Sequence, residues 1–418
     1  MPNDRSGAEA SRRRFLGATL GLAGAGVAGK AAAAPTTERS SADVPEWMQH
    51  QGAPVLSPPY GVPSPSEAKV VRRARSRGPL PTAASSVTPL QDLHGIITPS
   101  GLHFERHHAG VPQIDPARHR LMVHGLVRRP LSFSMEDLAR FPSVSRIHFI
   151  ECSGNSAWAE PPATATVQDI HGLISCSEWT GPLLSTVLAE AGVEPSAAWL
   201  LAEGADAAAL TRSIPMAKAR DDAILAYAQN GERLRPEQGY PLRLVLPGFE
   251  GNMSVKWLRR LKVGDQPFQT REETSKYTDL MPDGRARQFT FVMEAKSVIT
   301  SPSGGQRLGD RGFYEISGLA WSGRGRIARV EVSADGGSSW SEAVLQAPVL
   351  DKCLTRFRAP WRWEGAPCEL RSRATDDTGY VQPDREALVE ARGLNSGYHY
   401  NGVQAWRVAA DGTVSHAA

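Results

Sequence analysis

Cysteine is scarce in this chain, with four in 418 residues at positions 152, 176, 353 and 368. A disulfide-framed scaffold is therefore excluded, and the lack of any Cys-x-x-Cys-His excludes a covalently attached c-type haem. Net charge is nearly absent as well, at +3 from 47 basic and 44 acidic residues. The first 34 residues hold five basic residues (Arg5, Arg12, Arg13, Arg14, Lys30) and two acidic ones (Asp4, Glu9), which accounts for the whole excess. The remainder is close to neutral, and a nucleic-acid-binding reading loses its electrostatic support. Beyond those 34 residues no apolar run reaches the length needed to span a bilayer.

What is there begins with Ser11-Arg12-Arg13-Arg14-Phe15-Leu16, followed by a Gly/Ala-rich, mildly apolar run and the small residues Ala31 to Ala34. Residues 1–34 read as a twin-arginine signal peptide, which predicts export to the periplasm in the folded state. A transmembrane anchor is the alternative, but the run is short, glycine-rich and interrupted by Lys30. Residues 35–90 are rich in Pro, Ser, Ala and Arg without sustained periodicity and read as an arm or linker.

The rest divides by texture into two predicted domains. Residues 91–270 mix strands (Leu121 to Val127, Arg146 to Ile150, Leu242 to Leu246) with short helices, one capped by Ser134 and one running from Pro182 to Ala191 before Gly192. No regular βαβ rhythm links them, which points to α+β rather than a doubly wound sheet. Residues 289–412 turn to period-two alternation, clearest in Ile327 to Ser333 before the turn signal Asp335-Gly336-Gly337. Further short strands are expected near 312–319, 343–346, 355–363 and 369–375, and an immunoglobulin-like β-sandwich is the natural reading. Cys353 and Cys368 are close enough in sequence to pair in an oxidising compartment, or to stand as two free thiols.

The chemistry-bearing stretch is Phe149-Ile150-Glu151-Cys152-Ser153-Gly154-Asn155-Ser156, a cysteine in a Gly/Asn turn behind an apolar strand. A thiolate held this way suits a soft, redox-active metal, although a lone cysteine more commonly fills core space. Upstream lies Phe104-Glu105-Arg106-His107-His108; downstream come Ser254-Val255-Lys256-Trp257-Leu258-Arg259-Arg260 and Tyr277. A lysine in an apolar stretch demands a buried partner, a need that an anion such as a phosphate meets.

In this order the motifs resemble the sulfite oxidase family of molybdenum enzymes. The resemblance runs from about 92 to 410 and implies a mixed α/β molybdopterin-binding domain followed by an immunoglobulin-like dimerisation domain. It implies a molybdenum centre held by one pyranopterin dithiolene and by Cys152, with Arg106 facing a sulfur oxyanion and Tyr277 beside the reacting oxygen. By the same resemblance His108, Asp206, Arg243, Ser254 and Lys256 contact the molybdopterin. Several positions depart from the free-sulfite enzymes: a second pocket arginine is missing after the Cys152 motif, Gln168 stands for a pocket tryptophan, and Gln238 for a pterin-contacting histidine. An arginine that those enzymes contribute late in the chain has no clear counterpart, although Arg392 is nearby.

These departures resemble the sulfane dehydrogenase subunit of the periplasmic thiosulfate-oxidising Sox system. That likeness implies oxidation of a cysteine persulfide on a sulfur-carrier protein, with electrons leaving to a separate c-type cytochrome subunit and a homodimer formed through the sandwich. A sulfite dehydrogenase acting on free sulfite is the nearest alternative. A non-enzymatic β-sandwich scaffold is the alternative from another class, since fold alone does not fix function.

Overall fold

The computed structural model describes residues 60–76, 81–156, 161–394 and 397–417. The predicted signal peptide and most of the predicted arm lie outside these residues. Residues 60–63 belong to a separate N-terminal unit and carry no helix or strand; everything from Ser64 onward forms one unit. Among the described residues no helix is long and apolar enough to cross a membrane.

The N-terminal half is built on two sheets. In the first, Ser143–Glu151 and Ile174–Pro182 pair antiparallel over nine residues, from Ser143 opposite Pro182 to Glu151 opposite Ile174. The short strands Ala228–Gln229 and Glu232–Arg233 complete it. The second has five strands in the order Leu131–Phe133, Leu121–Gly125, Leu258–Gly264, Trp199–Gly204, Thr211–Pro215. Its one parallel pairing joins Leu258–Gly264 to Leu121–Gly125, the mixed arrangement of an α+β domain.

The helices follow their sequence signals. Met135–Ala139 starts with a capping box in which Ser134 Oγ accepts from Asp137 N (3.0 Å) and the Asp137 carboxylate accepts from Ser134 N (2.9 Å). Leu184–Ala191 ends at Gly192, whose φ of +69° is the left-handed stop that glycine adopts without strain. Pro182, expected to open that helix, instead ends the preceding strand opposite Ser143. Leu184, Val187, Leu188 and Ala191 face Leu121, Leu200 and Leu261 in one buried cluster, the i, i+3, i+4, i+7 stripe of an amphipathic helix.

The C-terminal half is a sandwich of two antiparallel sheets. One carries Lys296–Ser301, Gly312–Trp321, Thr355–Trp363 and Val344–Leu345 in that order; the other carries Ser341–Glu342, Ile327–Ser333, Cys368–Asp376, Ala405–Val408 and Val414–His416. The expected turn is present, with Gly336 and Gly337 at positive φ and the Asp335 carboxylate accepting from Ser339 N (2.9 Å). A helix, Arg385–Arg392, interrupts the strand series.

The halves share one core. Phe149, Ile174 and Cys176 of the first hairpin pack in the same cluster as Trp321, Phe357 and Trp406 of the sandwich. One local expectation changes, and one alternative is decided. The last residues read as arm are built into the body, with Ala84–Val87 pairing both Arg73–Ser76 and Glu105–Arg106, and with Val87 and Leu90 buried. Its strand is only four residues and two of them are serine, so periodicity could not reveal it. All four cysteines are free, and the sulfur nearest Cys353 is Cys176 across the shared core, at 3.4 Å, rather than Cys368.

Candidate active site

The hairpin of two nine-residue strands delivers Cys152 to the wall of a cleft. Strand Ser143–Glu151 ends one residue before it, and the chain turns at once, with Asn155 N donating to Cys152 O (2.8 Å) and Cys152 N to Leu173 O (2.9 Å). Gly251 lines the cleft beside this turn at a backbone approach that only glycine allows, since a Cβ there would stand 2.7 Å from Glu151 O. Cys152 is partly buried beside Ile150, Phe104 and Trp179.

All eight residues singled out by sequence line this cleft: Arg106, His108, Cys152, Asp206, Arg243, Ser254, Lys256 and Tyr277. They come from distant segments and are placed by different devices. Arg106 sits on the two-residue strand paired with Ser85, and its Nη1 donates to His107 O. Tyr277 adopts φ +52°, its ring under the Arg212 guanidinium (5.0 Å) and against Tyr398 (5.0 Å), and its hydroxyl lies 3.3 Å from His108 Nε2. Burial, together with nearby Cys152, pushes the phenol pKa well up, so Tyr277 keeps its proton. Burial, with Arg106 next to it, lowers His108 to about 4, leaving a neutral imidazole that can accept that proton's hydrogen bond.

The other end of the cleft is cationic. Arg243 is buried on the Trp179 ring (5.2 Å), with Nη1 donating to Gln238 O (3.2 Å) and Gln238 Oε1 (3.1 Å). Burial lowers its pKa to about 9. Lys256 donates to Arg106 O (3.3 Å), Glu237 O (3.1 Å) and His107 Nδ1 (2.9 Å), and burial followed by the Arg243 charge pulls its pKa far down. Ser254 Oγ accepts from Leu246 N (3.1 Å), which leaves its own proton to donate.

Whether these groups suit a pterin carrying a phosphate can be judged from what they leave unpaired. Arg243 Nε, Asp206 Oδ1 and Asn252 Oδ1 are buried without a hydrogen-bond partner. One donor and two acceptors on the walls of a cleft that already holds the buried Arg243 and the half-buried Lys256 match the mixed edge of a pterin amine and an anionic phosphate. The residues fit such a group.

Sequence reasoning missed His107 and Gln238 as architectural parts. His107 Nε2 donates to Glu105 Oε2 (2.6 Å) while its Nδ1 accepts from Lys256, a bridge that requires the neutral ring that burial favours. Gln238 Nε2 donates to His103 O (3.3 Å) and Phe104 O (3.1 Å), bracing the segment that leads to Arg106. The doubled histidine at 107–108 and the place of Gln238 before Gly239 were the available signals. One departure is corrected. Gln168 does not line the cleft; its amide donates to Gln91 Oε1 (2.8 Å) on a helix behind it. Arg392 is paired with Glu294 (3.3 Å) rather than aimed at the cleft.

Comparison with known proteins follows this geometry. Residues 108–272 match the family described as oxidoreductase molybdopterin binding domain, and residues 287–405 the Mo-co oxidoreductase dimerisation domain. Mitochondrial sulfite oxidase of Mus musculus is 34% identical over 344 residues, covering 74% of this chain and 62% of that protein. Sulfite oxidase of Gallus gallus is 33% identical over 335 residues, covering 72% of each. The chain thus spans about 62% of the length of the mouse protein. The crystal structure of the sulfane dehydrogenase SoxCD from Paracoccus pantotrophus superposes with a TM-score of 0.87 at 49% identity, covering 90% of this chain and 97% of that one.

Proposed function

The chain belongs to the sulfite oxidase family of molybdopterin oxidoreductases, and from that premise we propose that it is the catalytic subunit of a sulfane dehydrogenase. Its substrate is the outer sulfur of a cysteine persulfide on a carrier protein, and its electrons pass to a separate c-type cytochrome subunit in the periplasm. The balanced conversion is R–S–S⁻ plus three waters to R–S–SO₃⁻, six protons and six electrons, the cytochrome being the oxidant. The observation that carries the reading is one cleft uniting Cys152, Arg106 and Tyr277 with a buried cationic floor, in a chain 49% identical to a sulfane dehydrogenase over nearly its whole length.

The molybdenum group, when bound, supplies oxygen-atom transfer to sulfur and storage of electron pairs. Cys152 would ligate the metal, and Arg243, Lys256, Ser254, Asp206 and His108 would hold the pterin and its phosphate. Arg106 holds the oxyanion that accumulates on sulfur, since a guanidinium stays charged and offers a fork of donors. Tyr277 keeps its proton, which neutral His108 accepts at rest and which can turn to an oxygen of the substrate as a hydrogen-bond donor. The dimerisation-domain match supports a homodimer through the sandwich.

Replacing Cys152 by Ser separates an oxidoreductase from a scaffold. An oxidoreductase loses persulfide-dependent cytochrome reduction and the thiolate-to-metal absorption band together. A scaffold keeps its activity in the cell.

A further inference from the structure

Directly behind the cleft lies a buried charged cluster that the chemistry above does not use. Glu151, peptide-bonded to Cys152, and Lys296, from the first strand of the sandwich, are each 1% exposed. Burying two charges is expensive unless every donor and acceptor finds a partner. Here they do. Glu151 Oε1 accepts from Lys296 Nζ (3.1 Å) and Asn155 Nδ2 (2.9 Å), and Oε2 accepts from Trp321 Nε1 (2.7 Å). Lys296 Nζ also donates to Ser156 Oγ (2.6 Å), which in turn lies 2.5 Å from His171 Nδ1. Burial, helped by the Lys296 charge, keeps His171 neutral, so its Nδ1 accepts the Ser156 proton. Asn155 Oδ1 accepts from Leu173 N (3.0 Å).

The side chains at 151, 155 and 156 are those that flank the Cys152 turn, and all three are tied directly or through Glu151 to Lys296. Ser156 sits at φ +61°, a conformation that a serine holds only when tertiary contacts impose it. Trp321 and Lys296 both belong to the sandwich, so two of the anchors come from the other half of the molecule.

We propose that Glu151 and Lys296 are positioning residues for Cys152: the sandwich fixes the direction of the thiolate through a buried ion pair, and is part of the active-site architecture as well as of the subunit contact. A neutral pair would fill the same space more cheaply. An ion pair instead accepts one arrangement of the turn and penalises the others, the best-attested use of buried charge. The inference rests on Cys152 being the metal ligand, and not on which sulfur compound is oxidised.

The test compares Lys296→Met with Glu331→Gln, which breaks the ion pairs to Arg373 and Arg329 elsewhere in the sandwich and serves as a stability control. In the cofactor-free chain, hydrogen exchange of the amides of Cys152, Asn155 and Ser156 should accelerate about tenfold or more in Lys296→Met, as expected when one partner of a buried pair is removed, and stay unchanged in the control. In the loaded enzyme the thiolate-to-metal absorption band should shift in Lys296→Met alone. If Lys296→Met does not fold, Ser156→Ala, which cuts one bond and keeps the ion pair, should show the same two effects at smaller size. Lowered thermal stability with wild-type exchange and an unshifted band would overturn the proposal, as would faster exchange with an unshifted band, which marks a purely structural role. Failure of the persulfide reading would appear as inactivity of wild-type enzyme and would leave these comparisons intact.

Discussion

Substituting Arg106 by Gln should separate anion binding from cofactor binding. The side chain supplies a charge at the cleft, but the backbone around it is fixed independently. Arg106 pairs with Ser85 in a sheet, its carbonyl accepts from Lys256 Nζ (3.3 Å), and the neighbouring Phe104 carbonyl accepts from Gln238 (3.1 Å). Removing the guanidinium therefore leaves the cationic floor in place. A hydrogen bond from a charged donor contributes about 1.5–3 kcal/mol, so affinity for an oxyanion should fall about 10- to 150-fold. Lys256 cannot compensate, because it already donates to Arg106 O, Glu237 O and His107 Nδ1. The assay is the inhibition constant of sulfate against persulfide-dependent cytochrome reduction, with molybdenum content measured on the same sample. An inhibition constant that rises by less than about threefold would refute the anion-facing role, because it falls below the smallest effect expected of a charged donor. Loss of molybdenum would refute the separation and make Arg106 a cofactor-holding residue.

Lys256→Met should purify with little molybdopterin while keeping its fold, checked by pterin fluorescence after extraction against circular dichroism; wild-type loading would exclude Lys256 from the phosphate site. Glu294→Gln should destabilise the chain by roughly 2–4 kcal/mol in denaturant titration, because it strands Arg392 and His399 in the interior. His103 gives a pH prediction. Burial, with Arg243 nearby, lowers its pKa to about 3 from an unfolded value near 6.5. Its stability contribution is complete above about pH 6.5 and is lost as pH falls toward 3, since only the unfolded chain takes up the proton. Replacing His103 by Asn should flatten the stability slope of the cofactor-free chain by about 1.4 kcal/mol per pH unit between about pH 6 and 4; an unchanged slope would place His103 outside that linkage.

Much of the architecture was legible because local signals and tertiary placement agreed. The Ser134 cap, the Gly192 stop and the Asp335-Gly336-Gly337 turn are chemical necessities of a few residues, and each stands where the sequence put it. The cleft was legible for another reason: its eight residues occur in distinctive local wording, so resemblance found them without any knowledge of how they converge. What escaped depended on contacts between distant segments. Lys296 drew no reading from the sequence, because nothing near it announces Glu151 as its partner. Cys176 met Cys353 rather than leaving it to Cys368 because a shared core, not spacing, brings sulfurs together. Gln168 was placed in the pocket by resemblance, whereas the helix Val167–His171 turns its side chain toward Gln91.

The central claim is that this cleft oxidises carrier-bound sulfur. Single-turnover reduction of the oxidised, molybdenum-loaded chain, followed through the thiolate-to-metal absorbance so that no cytochrome is needed, tests it most directly. The account predicts rapid bleaching by a persulfidated carrier and little or none by free sulfite. Rapid bleaching by sulfite, with none by the carrier, would contradict it and make the chain a sulfite dehydrogenase.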